Sequence, residues 1–345
     1  MKTINFKKIA CLALSSMLIA AMLAGCGQKA ENGATNENTL ADNVIITETG
    51  EVIEKENPTP EVTSTPEVSP APEIITVDPE ELVEPEQEQI DTGQEQVEYH
   101  ENKLQLVFMG DSIFDGYRDG TGIPYRTAMQ CDANFYNLAI GGTTAAVSMD
   151  EQIGWEDWTS RGLLGIVNAM LGNIPTDIFA NDTAKAILDD PNVDFSKTDY
   201  FVIEYGMNDF LNAVPMTSDS RENDMKSYGG ALHNAVVALK DYAPDATIIL
   251  CSPTYARFFN GDWMIGDGNS INNGYGTLFD YKGTCEYVAN EQQVVFFNAY
   301  QDLGIDGYTA EEYLEDGIHL TDKGRQLYAD ALTKVILNYE ETKNN

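Results

Sequence analysis

The sequence predicts a three-layer α/β/α domain on a parallel sheet of about five strands, and three observations carry that prediction. Five short runs along residues 104–345 are apolar almost throughout rather than at alternate positions, as strands covered on both faces must be. Helix-period patterns separate several of those runs, the alternation that builds helical layers on both sides of a parallel sheet. The stretch is also long enough to enclose one sizeable core.

In chain order, residues 1–25 come first. "MKTINFKK" carries three lysines, and a short apolar run ends in the small residues of Leu23-Ala24-Gly25-Cys26. That layout is a secretory leader, too short and too soon interrupted to favour a membrane-spanning helix. Its end resembles the lipobox of bacterial lipoproteins. The resemblance implies that Cys26 is lipidated and holds the chain on the extracellular face of a bacterial cell membrane through acyl chains. Residues 26–103 are rich in Pro, Thr and Glu with no sustained period, and are predicted to be a disordered, acidic tether. Such a segment has an r.m.s. span of roughly 50 Å, so residues 104–345 can work well away from their anchor.

The five apolar runs follow: 104–109, 134–140, 200–205, 247–252 and 294–300. Helical patterns lie at 222–244, between the third and fourth runs, and at 321–340, closing the chain with Thr321 as its N-cap. Two connections, 143–198 and the segment after the fourth run, are long and leave from carboxyl ends of strands. In open α/β sheets ligands bind there. The formal net charge of −36 excludes a protein that binds nucleic acid by neutralising phosphates. Beyond the leader and Cys26, only Cys131, Cys251 and Cys285 remain, in spacings that suit no metal site. No metal or organic cofactor is implied.

Four clusters stand at strand ends or in loops: Gly110-Asp111-Ser112, Gly141-Gly142-Thr143, Gly206-Met207-Asn208-Asp209 and Asp316-Gly317-Ile318-His319. Each alone is ordinary turn chemistry. Together they supply an acyl-transfer site. A serine hydroxyl needs a base, and of the three histidines His100 sits at the tether boundary and His233 in a helical pattern, which leaves His319. Asp316 can bond the far ring nitrogen. The N–H groups of Ser112 and Gly142 and the Asn208 amide can meet an oxyanion. Asp111 and Asp209 read as turn-holding residues, and Asp115 and Asn137 as structural rather than substrate-contacting, though their types suit either role.

These four clusters, in this order, resemble the four blocks of the SGNH hydrolases, the GDSL-type esterases. The first block reads "GDSIF", and the second carries Gly141-Gly142-Thr143 where many members have Ser-Gly-Asp. Neither departure removes a catalytic atom. The resemblance covers residues 104 to about 339 apart from the two long connections. It implies a flavodoxin-like sheet, Ser112 as nucleophile, Gly142 and Asn208 in the oxyanion hole, and the Asp316–His319 pair in proton transfer.

For the substrate, the long connections hold Trp155, Trp158, Tyr255 and Trp263 among other aromatics. They either pack the loops or form a platform on which sugar rings stack. "GDGNSINNGYG" is too polar for a lipid-binding lid, whereas "GLLGIVNAML" is either such a lid or a buried helix. The reading is an esterase that deacetylates an extracellular polysaccharide. The alternatives are a lysophospholipase or short-chain lipase, an O-acetyltransferase on the same site, and a vestigial glycan-binding protein.

Overall fold

Strand β1 (Gln105–Gly110) is buried at every residue, and its neighbours on the sheet explain why. The structure, a computed structural model, describes residues 100, 103–147, 160–180, 182–219 and 223–343. The leader, Cys26, nearly all of the tether, Trp155 and Trp158 lie outside the described residues.

After β1 come α1 (Ser112–Asp115), α2 (Ile123–Gln130), β2 (Asn134–Asn137), α3 (Leu163–Met170), α4 (Thr183–Leu188) and β3 (Tyr200–Glu204). Then follow α5 (Met207–Leu211), α6 (Tyr228–Tyr242), β4 (Thr247–Cys251), β5 (Arg257–Asn260), β6 (Trp263–Asp267) and α7 (Leu278–Glu291). The chain continues through β7 (Val295–Phe297), α8 (Ala299–Asp302), α9 (Ala310–Tyr313) and α10 (Asp322–Lys343). The main sheet has five parallel strands in the order β2-β1-β3-β4-β7, flanked by helices. All five apolar runs became its strands.

Two of those strands, β2 and β7, are shorter than their runs by three or more residues. β2 stops at Asn137, but Leu138 and Ile140 still donate N–H groups to the Phe108 and Gly110 carbonyls, so the chain keeps to the β1 edge up to the glycines. β7 stops because Asn298 turns into the cap of α8 and accepts the Gln301 N–H. Thr321 caps α10 as expected, its hydroxyl accepting the Gly324 N–H at 3.1 Å.

"GLLGIVNAML" resolves as α3, whose eight residues are all buried; it is a core helix, not a lid. The long connection after β4 carries an antiparallel hairpin, β5–β6. Cys131, Cys251 and Cys285 are free and buried. His233, on α6, meets Glu291 at the end of α7 and Gln292 just beyond it rather than any cleft.

Candidate active site

The sheet register brings the first three clusters together. Gly110 at the end of β1 pairs with Glu204 at the end of β3, and Phe108 pairs with Asn137 at the end of β2. The chain therefore leaves three adjacent strands on one edge, and the residues that follow them converge. Ser112 opens the single turn of α1, where its N–H has no intrahelical partner. Asn208 sits in the first turn of α5. Gly142 follows β2 with φ +76°, and a Cβ there would meet nothing within 4 Å, so its backbone faces open space.

The fourth cluster reaches this edge from the other end of the chain. Ser112 Oγ lies 2.9 Å from His319 Nε2, and His319 Nδ1 lies 2.7 Å from Asp316 Oδ2. A carboxylate accepts only, so the ring proton sits on Nδ1 and Nε2 is left to accept the serine hydroxyl. Asp316 Oδ1 also accepts the N–H groups of Ile318 and His319, which ties the carboxylate to its own loop. Burial pushes the Asp316 carboxyl up, but these bonds outweigh it and hold the group below the ordinary carboxylate range. The His319 and Asp316 side chains are 41% and 56% exposed, so the pair faces solvent.

Supports that the sequence did not reveal hold this geometry. The dyad loop closes through an antiparallel bridge between Leu314 and Leu320 and a bond from Glu315 N–H to the His319 carbonyl. Buried Arg325 of α10 donates to the Leu320 carbonyl, pairs with Glu315 and stacks 3.4 Å above the Tyr117 ring. Gly317 takes φ +94°, and a Cβ there would strike the Arg257 carbonyl at 2.5 Å. The hairpin thus docks on the loop that carries the dyad.

The side that carries Gly142 and Asn208 has its own clamp. Asp115 accepts the Gly141 N–H at 2.7 Å and pairs with Arg118, which donates to the carbonyls of Asn137 and Ala139. Asn137 completes it through a bond to the Phe114 carbonyl. Asp209 accepts the N–H groups of Ala145 and Ala146, and Asp111 accepts those of Ile113 and the Asn208 amide. All four side chains act as the turn-holding and structural residues anticipated.

Of the anticipated substrate-contacting aromatics, Tyr255 is corrected. It is 2% exposed, its hydroxyl donates to Asp267, and its ring packs against Tyr300, so it braces the hairpin from within. Trp263 is 81% exposed at the start of β6. Beside it a pocket of about 430 Å³ opens between the hairpin and the dyad loop, lined by Arg257, Phe259, Asp262, Glu311, Glu315 and Asp316 among others. Among the described residues, no group of three or more His, Cys, Asp or Glu side chains is placed to hold a metal ion.

Beneath the site, Asp111, Glu204 and Asp209 are fully buried. Burial pushes Asp209 up to about 7, against the pull of the Ala146 and Ala145 N–H groups. Its folded value exceeds its unfolded one, so the native state binds more protons and stability falls as pH rises from about 4 to about 7. The Asp209→Asn variant lacks that proton release. Its stability relative to the parent should therefore climb with pH across this window in urea titrations, whatever its absolute level. A difference that is flat in pH would contradict the assignment.

The GDSL-like lipase/acylhydrolase family matches residues 108–327. No curated protein matches the chain. One similar crystal structure is 17% identical, covers 68% of this chain and 97% of its own, and has a TM-score of 0.52. A protein from Lactobacillus plantarum is 19% identical, with 69% and 99% covered and a TM-score of 0.48. A possible lipase from Chitinophaga pinensis DSM 2588 is 17% identical, with 69% and 99% covered and a TM-score of 0.48. At 17% identity the first of these likenesses speaks for the fold alone.

Proposed function

The chain belongs to the GDSL-like lipase/acylhydrolase family, and on that premise we propose that it is a serine esterase working through an acyl-enzyme on Ser112. The observation that carries the reading is the continuous hydrogen-bonded line from Ser112 through His319 to Asp316. His319 Nε2 takes the serine proton as Oγ attacks the ester carbonyl carbon. The N–H groups of Ser112 and Gly142 and the Asn208 amide receive the negative oxygen. Asp316 steadies the imidazolium, which then gives its proton to the departing alcohol. Water, activated by the same nitrogen, cleaves the acyl-serine and releases the acid.

The substrate we propose is an acetylated polysaccharide. The pocket beside Asp316 offers charged and polar groups for hydroxyls, with the Phe259 ring on its wall for stacking on sugar C–H faces, and Trp263, next in sequence to Asp262 of that wall, is exposed. α3 is buried and supplies no apolar lid. A second reading, a lysophospholipase or short-chain lipase, draws on the exposed Trp263, Met264 and Ile265 of β6. Rates on p-nitrophenyl esters from acetyl to dodecanoyl separate the two. Steep preference for acetyl supports the deacetylase, and rates that rise with chain length refute it.

The leader and Cys26 support anchoring by lipid at the outer face of a bacterial membrane. Cys26→Ser should move the protein to the soluble fraction with its activity per molecule intact. Continued sedimentation with membranes would contradict this.

A further inference from the structure

Glu204 is a buried acid with no visible employment. It ends β3 at the position paired with Gly110, directly below the Asp111-Ser112 turn. Neither of its carboxyl oxygens makes a hydrogen bond of normal geometry among the described residues. The carboxyl faces Asp111, and the other titratable groups around it are Asp209, Tyr205, Tyr228, Cys251, Cys285 and Tyr328. None of these is a cation, and the Asp111 backbone N–H is the one group that favours a charge on Glu204, against its burial and the neighbouring acids.

Asp111 is the opposite case. Its Oδ1 accepts the Ile113 N–H and its Oδ2 accepts the Asn208 Nδ2–H, both at 3.0 Å. Two N–H donors in hydrogen bonds of normal geometry stabilise a carboxylate at Asp111, whereas at Glu204 only the Asp111 backbone N–H acts, without such a bond. Two adjacent buried carboxyls cannot both ionise, so the proton that the pair keeps belongs to Glu204. Burial raises both groups, Asp111 to about 6 and Glu204 well above its ordinary value, in the same sense.

The Asn208 side chain has a donor end and an acceptor end of nearly equal shape. A charged Asp111 accepts only, so it draws Nδ2 toward itself and leaves the second Nδ2–H for the substrate oxygen. A turned amide would present its own oxygen there and repel the oxyanion. From this arrangement we propose that Glu204 is a protonated positioning residue, donating its O–H to Asp111 and thereby fixing the Asn208 amide in the orientation the oxyanion needs. The inference rests on the assignment of Asn208 to the oxyanion hole.

Infrared spectroscopy of the full chain tests the proton directly. At about pH 8 the difference between wild type and Glu204→Gln should contain the carbonyl stretch of a protonated carboxylic acid, the acids common to both proteins cancelling. Absence of that band overturns the proposal. The measurement uses no substrate, so it can fail while the esterase reading stands, or succeed while that reading falls. Kinetics test the positioning. Glu204→Gln still donates to Asp111 and should keep kcat within about 3-fold, whereas Glu204→Met should lower kcat by about 10–10², below the 10²–10³ of losing an oxyanion donor outright, with KM nearly unchanged. Equal losses in both variants, or no loss in either, overturn the proposal. If Glu204→Met does not fold, the infrared band and the Glu204→Gln rate decide alone.

Discussion

Ser112→Ala should lower kcat on the ester the enzyme hydrolyses best by on the order of 10⁴–10⁶, with little change in KM. The methyl group removes one bond to His319, but Asp316 still holds the ring, and the pocket and the Asn208 amide have supports of their own. What disappears is the atom that forms the acyl-enzyme. A residual rate above that of water alone should persist, because prepositioned N–H groups still stabilise attack by a water molecule. Near-normal turnover in this variant would contradict the mechanism at its root.

His319→Ala should cost a similar factor, on the order of 10⁴–10⁶, for a different reason. Here the nucleophile remains but keeps its proton, since no other imidazole approaches Ser112 among the described residues. Because serine and histidine act in one step, their losses should not add. The Ser112→Ala/His319→Ala double variant should be no slower than either single one to within about 10-fold. Additive losses would mean that the two residues serve separate steps, which the 2.9 Å contact argues against. The cycle is measured with purified variants whose melting curves match the parent.

The parts of this protein that could be read from its sequence are those where physics acts along the chain. A strand buried on both faces needs apolar residues without interruption, and "LQLVFM" and "TIILCS" announce themselves. The small and polar clusters that follow such strands are equally visible, and all four reached the same edge of the sheet. What stayed hidden depends on partners distant in sequence. Arg118 pairs locally with Asp115, but its targets are carbonyls beyond β2. Tyr255 looks like a surface aromatic until Asp267 and Tyr300 enclose it. The hairpin β5–β6 is half exposed and broken by Gly261 and Asp262, so its alternation is too weak to mark strands. Glu204 did leave a signal. An acid inside "YFVIEY" has no reason to be there unless something nearby needs its proton or its charge.

The central claim is that the reaction passes through an ester of Ser112. The most direct test is to quench the enzyme during turnover of p-nitrophenyl acetate, digest it, and weigh the peptide that carries "GDSIFDGY". A fraction of that peptide should be heavier by one acetyl group, with the modification mapped to Ser112 and missing from Ser112→Ala. Acetyl found reproducibly on a different residue, or active enzyme whose burst of p-nitrophenol leaves Ser112 unmodified, would contradict it.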